Sequence, residues 1–114
     1  MANVFKLKTK ASLTTSLAAV YTVPSNKTAI ILSISLANKT GNSATASVQI
    51  SSDTSDTETN ADAYLLSTAP VPSGGTLEVM QGNKLVLQTT DVLKAKASTG
   101  SAIDIIVSLM EMDV

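Results

Sequence analysis

The sequence predicts an all-β protein, a single antiparallel β-sandwich of about eight or nine strands spanning residues 1–114. Three observations predict this fold. Short segments alternate apolar and polar side chains with a period of two. Turn signals separate these segments at roughly ten-residue spacing. Ser and Thr are interleaved with Val, Ile, Leu and Ala, which suits pleated strands with one buried face. Jelly-roll and immunoglobulin-like arrangements both fit the pattern.

Four strands are predicted before residue 52. The first, over residues 4–10, is followed by a second over 16–23 that ends at Pro24. Residues 27–38 form the strongest strand, and the residues of its predicted buried face are Ile30, Leu32, Ile34 and Leu36. A Gly-Asn turn follows, and residues 44–51 are predicted to return as the second strand of a hairpin.

The remaining strands follow a polar, acidic loop over residues 52–63. They are predicted over residues 64–71, 76–80, 84–89, 92–98 and 102–112. Pro70 suits an edge strand. A tight turn at 81–83 separates the strand over 76–80 from the strand over 84–89. In the last strand, the residues predicted to share a buried face are Ile103, Ile105, Val107 and Leu109, with Asp104, Ser108 and Met110 on the other face.

The composition excludes several chemistries. The chain has no Cys and no His, which removes thiol nucleophiles, disulfides, serine–histidine triads and the usual zinc sites. All eight basic residues are Lys and the net charge is −1, so nucleic acid is not an expected partner. No apolar run approaches the roughly 20 residues of a membrane span. We expect a protein without catalytic residues or cofactor, made in a cytoplasm and not bound to a membrane.

The N-terminal segment is the candidate partner-binding element. Phe5 and Leu7 alternate with Lys6, Lys8 and Lys10, so the two sets lie on opposite faces of a strand. Three interpretations remain open: a charged edge strand that discourages unwanted pairing, a basic stripe that meets an acidic partner surface, and an arm that adds to a neighbour's sheet.

The acidic loop offers a weaker candidate, a cation site. Its oxygen ligands would come from Asp53, Asp56, Glu58 and Asp62. The spacing lacks the glycine of an EF-hand loop, and a solvated surface loop that faces a partner or host surface is the alternative.

Much of the chain resembles small virion structural proteins of tailed bacteriophages, particularly those of marine and cyanobacterial phages. The resemblance rests on "VYTVPSNKTAIILSISLAN", "VPSGGTLEV", "NKLVLQTTDVLKAKAS" and "IDIIVSLMEM". It implies a β-sandwich in the virion, assembled in the host cytoplasm, whose partners are the major capsid protein or other virion proteins. It also implies contact with copies of itself, as in a homo-oligomer such as a trimer.

Three functions fit this resemblance and the residues. The first is a capsid decoration or cement protein that binds the head shell in many copies. The second is an accessory protein of the neck, tail or fibre base. The third is a module that binds a host surface or a carbohydrate, although a chain with one Phe, two Tyr and no Trp has few stacking platforms for sugars.

Overall fold

The computed structural model describes residues 3–52 and 60–113, and over these residues the chain forms nine β-strands and no helix. No helix long and apolar enough to cross a membrane therefore occurs in this part of the chain. The strands are β1 (Asn3–Lys10), β2 (Ala18–Thr22), β3 (Lys27–Asn38), β4 (Ala44–Ser51), β5 (Ala63–Val71), β6 (Thr76–Glu78), β7 (Leu85–Leu87), β8 (Val92–Ala97) and β9 (Ile103–Asp113).

The strands form two antiparallel sheets, which confirms the predicted β-sandwich. The first sheet has the order β1-β9-β3-β6, and β7 pairs with β3 as well. β6 and β7 lie one after the other along the same side of β3, against opposite ends of that strand. The second sheet has the order β2-β8-β4-β5. With β6 and β7 taken as one interrupted strand, this order is that of a jelly roll, which decides between the two arrangements that the sequence left open.

The core lies between the two sheets. β9 contributes the four residues predicted from its alternation, Ile103, Ile105, Val107 and Leu109, all fully buried. β8 faces them from the second sheet with Leu93, Ala95 and Ala97. Each buried Leu or Ile side chain contributes about 1.5–3 kcal/mol relative to its exposed state, so packing between these two strands helps to hold the layers together.

The predicted buried face of β3 is wrong over its first half. The pairing of β3 with β9 shifts between Ile31 and Ser33, where Leu32 forms a β-bulge. An extra residue reverses the alternation of faces. The buried residues are therefore Ala29 and Ile31 before the bulge and Ile34 after it, whereas the predicted core residue Ile30 lies on the outer face.

The predicted hairpin of the third and fourth strands is also wrong, because β3 and β4 belong to different sheets. The turn between them is organised by the buried side chain of Asn38. Its Nδ2 donates to the carbonyl oxygens of Asn42 and Val71, and its Oδ1 accepts the backbone N–H of Thr40. The turn thus carries the chain from one layer to the other. β6 and β7 likewise pair with β3 and not with each other.

Candidate docking surface

The predicted N-terminal strand is β1, at the edge of the first sheet, and its two faces differ in chemistry. In the pairing with β9, Lys6 lies opposite Leu109 and Lys8 lies opposite Val107, both core residues. Since opposed residues share a face, the lysines lie on the inner side of the sheet. Phe5 and Leu7 lie on the outer side, and their side chains are 72% and 64% exposed.

An apolar row crosses the outer face of the first sheet from edge to edge. Phe5 lies opposite Met110, Met110 lies opposite Ile30, and Ile30 lies opposite Val86 on β7. We call Phe5, Met110, Ile30 and Val86 the apolar row. Its two ends are the most open, with Val86 59% exposed. Four strands therefore present one continuous apolar line to the outside.

Few charges interrupt this face in the described ranges. Two carboxylates lie on it, and each is engaged by a neighbour. Asp104 Oδ1 lies 2.8 Å from Lys39 Nζ, and Glu78 accepts a hydrogen bond of 2.9 Å from Ser35 Oγ. The hydrogen bond from Lys39 lowers the pKa of Asp104 from its ordinary value, with help from the backbone N–H of Ser12. A partner covering the apolar row has little charge to desolvate.

The side of β1 that faces the core is anchored by a buried carboxylate. Glu111 on β9 is 3% exposed. Its Oε1 lies 2.9 Å from Lys6 Nζ, and its Oε2 accepts a hydrogen bond of 2.6 Å from the hydroxyl of Tyr21 on β2. The contact joins the two sheets at the edge where β1 lies. It also holds β1 in register, which fixes Phe5 on the outer face.

The same contact shifts the pKa values of its members in opposite directions. The hydrogen bond from Tyr21 lowers the pKa of Glu111, opposed by burial and aided by Lys6. Burial, followed by the hydrogen bond to Glu111, raises the pKa of Tyr21. Glu111 is therefore held as a carboxylate and Tyr21 as a neutral phenol.

Sequence reasoning found one end of the apolar row and missed the other end. Ile30 was assigned to the core because the bulge at Leu32 leaves no mark in the alternation. Val86 gave no signal, since its exposure depends on β7 pairing with β3. Glu111 did carry a signal: it continues the inward positions of β9, where a carboxylate requires a buried partner.

The candidate cation site falls mostly outside the described residues, which hold only Asp62 of its four proposed ligands. Asp62 Oδ1 accepts the backbone N–H of Ser52 at 3.2 Å. Within residues 3–52 and 60–113, no three Asp or Glu side chains lie close enough together to hold a metal ion. The cation site therefore stays a prediction.

A groove of about 510 Å³ opens at the other edge of the sandwich, between β5 and β7. Its walls include Tyr64, which is 48% exposed, together with Leu65 and Val86. Asn60 and Asp91 add polar atoms. The Asp91 carboxylate accepts hydrogen bonds from Ser52 Oγ and from the backbone N–H of Gln88, so it caps a turn at the wall of the groove.

Comparison with known proteins adds little to these observations. No protein-family model matches the chain, and no curated protein matches it. Among solved structures, the chain is similar to a protein from work on Bacillus endospore appendages, described as a family of disulfide-linked pili. The two share 13% sequence identity, with a TM-score of 0.49, over 99% of this chain and 88% of the other.

Proposed function

We propose that this chain is a non-enzymatic structural protein of a bacteriophage particle, a capsid decoration protein that docks on the head shell in many copies. The observation that carries the proposal is the apolar row, with Leu7 and the 40% exposed Ile106 beside it, on a sheet face with few charges. Exposed apolar patches on a small domain mark interaction sites.

The size of this face explains why many copies are needed. β1 pairs over eight residues, and four strands at about 4.8 Å spacing and about 3.4 Å per residue cover roughly 500 Å². A specific interface typically buries about 800 Å² per partner. One copy is therefore expected to bind weakly, and contact between copies on a symmetric lattice, as in a homo-oligomer, supplies the missing strength.

The fold and the resemblance to phage virion proteins support the same proposal. Jelly rolls are common among viral capsid domains, although a fold alone does not assign a function. The expected partners are the major capsid protein, other virion proteins and further copies of this chain. A chain without cysteine is also indifferent to the redox state outside the cell.

The groove between β5 and β7 favours one alternative, a module that binds a host surface or a carbohydrate. A half-exposed Tyr64 beside Asn60 offers a stacking face and an amide. A glycan array tests this alternative directly. Binding that a Tyr64→Ala substitution abolishes would assign the groove to a sugar.

The decisive experiment is quantitative mass spectrometry of purified particles from the source phage, scored as copies of this chain per major shell protein. Decoration predicts a ratio of about one, or a simple fraction such as about one third, because the shell lattice is symmetric. A few copies per particle would instead assign the protein to the neck, tail or fibre base. Absence from the particle would overturn the virion proposal.

The docking face is tested by paired substitutions. Phe5→Ser with Ile106→Ser removes two exposed apolar side chains of this face that do not line the groove, and it is expected to abolish binding to undecorated particles. The matched control is Tyr64→Ser with Leu65→Ser, which removes exposed apolar side chains from β5 on the second sheet. Equal loss of binding in both variants would contradict docking through the first sheet.

A further inference from the structure

The free edge of β1 is a second feature that the apolar row does not use. β1 pairs with β9 on one side, and no strand of the described chain pairs with its other side. In an antiparallel edge strand, alternate residues direct their N–H and C=O groups away from the sheet. β1 is eight residues long, so every second residue along it offers unpaired backbone N–H and C=O groups to an added strand.

The two faces of this edge fix the chemistry of a strand that can join it. On the inner side, Lys6 is paired with Glu111. Lys8 and Lys10 form no ion pair with any residue in the ranges 3–52 and 60–113. On the outer side, Phe5 and Leu7 are exposed. An added strand meets positive charge on one face and apolar side chains on the other.

A second copy of β1 does not suit this edge. In a two-fold symmetric antiparallel pairing, even-numbered residues face even-numbered residues of the other copy. Only two such registers pair more than five residues of the strand. One sets Lys6 opposite Lys6, and the other sets Lys6 opposite Lys8. Like charges directly opposed across strands are destabilising, so the lysines disfavour the self-pairing that a long apolar edge otherwise invites.

We infer that the free edge of β1 binds an extended segment of a partner protein in which carboxylate side chains alternate with apolar ones. The carboxylates face Lys8 and Lys10, and the apolar side chains face Phe5 and Leu7, which extends the apolar row by one strand. The inference rests on the proposed function only for the source of this segment, a surface-exposed stretch of the shell protein.

The test uses the whole protein and a synthetic peptide, so it does not depend on the virion proposal. A blocked octapeptide of alternating Glu and Val is titrated against the chain, with a peptide carrying Lys in place of Glu as control. We expect the acidic peptide to bind and to protect alternate β1 amides from hydrogen exchange. Binding without protection in β1, or equal binding of the lysine peptide, would overturn the inference.

Charge reversal supplies a matched pair of variants. Lys8→Glu with Lys10→Glu is expected to weaken peptide binding by about tenfold, from the loss of two exposed ion pairs. Lys94→Glu with Lys96→Glu makes the same change of net charge on β8, an interior strand of the second sheet, and is expected to leave binding unchanged. Equal weakening in the two variants would overturn the inference, because it would assign the effect to overall charge.

Discussion

At the residue scale, Glu111 is a buried carboxylate that links the two sheets. It is a carboxylate among core residues, and it is tolerated there because Tyr21 and Lys6 both donate to it. Buried charge is costly unless it is paired and hydrogen-bonded. The contact joins strands from both sheets, so its loss affects the packing of the layers as well as the register of β1.

Substitution of Tyr21 by Phe tests this contact. The variant leaves Glu111 with one donor fewer in a buried site, and we expect the free energy of unfolding to fall by about 1–3 kcal/mol. Urea titration followed by circular dichroism measures the change. The half-exposed Tyr64 provides the control, since Tyr64→Phe is expected to change stability little. Equal losses from the two substitutions would contradict the role of the Glu111 contact.

The pKa shifts predict how stability depends on pH. The folded-state pKa of Glu111 is lowered, so its contribution is complete above the unfolded-state pKa of about 4.3. That contribution is lost as the pH falls through the lowered value. Tyr21 has a raised pKa, and its contribution declines above its unfolded-state value of about 10. The free energy of unfolding is therefore expected to be nearly constant between about pH 4.3 and about pH 10, and to fall below and above this range.

The Glu111→Gln variant shows how much of the loss of stability at low pH is due to Glu111. We call this loss the acidic limb of the profile, and the loss at high pH the basic limb. Without the carboxylate, the decline of stability below about pH 4.3 becomes shallower. A smaller decline remains, because Asp104 also has a lowered pKa. An acidic limb of the same steepness in the variant and the parent protein would show that Glu111 is not its source. Thermal unfolding at a series of pH values measures both limbs.

At the element scale, β1 contributes little to the core, because nearly all of its residues are exposed. Its outward residues are exposed, and its inward residues are mostly lysines. The link between β1 and the core passes through Lys6 and Glu111. A strand of this composition is stabilised by backbone pairing with β9 and not by burial of its own side chains.

Deletion of residues 1–10 is expected to leave a cooperative unfolding transition but to weaken binding to the particle. Stability should fall, since the deletion removes the ion pair of Glu111 and uncovers the edge of β9. Denaturant unfolding and a particle-binding assay measure the two effects separately. A truncated protein that fails to fold, or one that binds particles as well as the intact chain, would show that this division of roles is wrong.

The strands themselves could be predicted because each obeys a local rule. Residues 27–38 match β3, and the predicted inward face of β9 is fully buried. What could not be predicted depends on distant partners. The turn after Asn38 fits a hairpin and a crossover between layers equally well, and only packing decides between them. The bulge at Leu32 is invisible for the same reason, because an extra residue is defined only against the register of β9.

The geometry of the candidate docking surface was predicted only for β1, and its role in binding stays a prediction. Phe5 and Leu7 were singled out from their alternation with lysines, and their opposite orientation to the lysines is present in the structure. The rest of the apolar row comes from strands β3, β7 and β9, which are distant in the sequence. Which residues form such a row depends on how neighbouring strands are aligned with each other. This alignment cannot be read from a single sequence.

At the scale of the whole molecule, the free edge of β1 and the groove lie at opposite edges of the sandwich, whereas the apolar row crosses the first sheet and ends at Val86 in the wall of the groove. β1, with its free edge, lies on one side of the first sheet, and the groove between β5 and β7 lies on the other. A partner strand added to β1 therefore leaves the groove open.

The position of β9 has a consequence for how the protein is made. β9 lies inside the first sheet, between β1 and β3, although it is the last of the nine strands formed by residues 3–52 and 60–113. During synthesis, β1 emerges more than ninety residues before the strand that it pairs with. Pairings of such long range make folding slow, and the first sheet cannot close until translation has passed β9. A chain cut short by a stop codon or a protease before β9 therefore lacks the strand against which β1 aligns, so only nearly finished chains complete the apolar row.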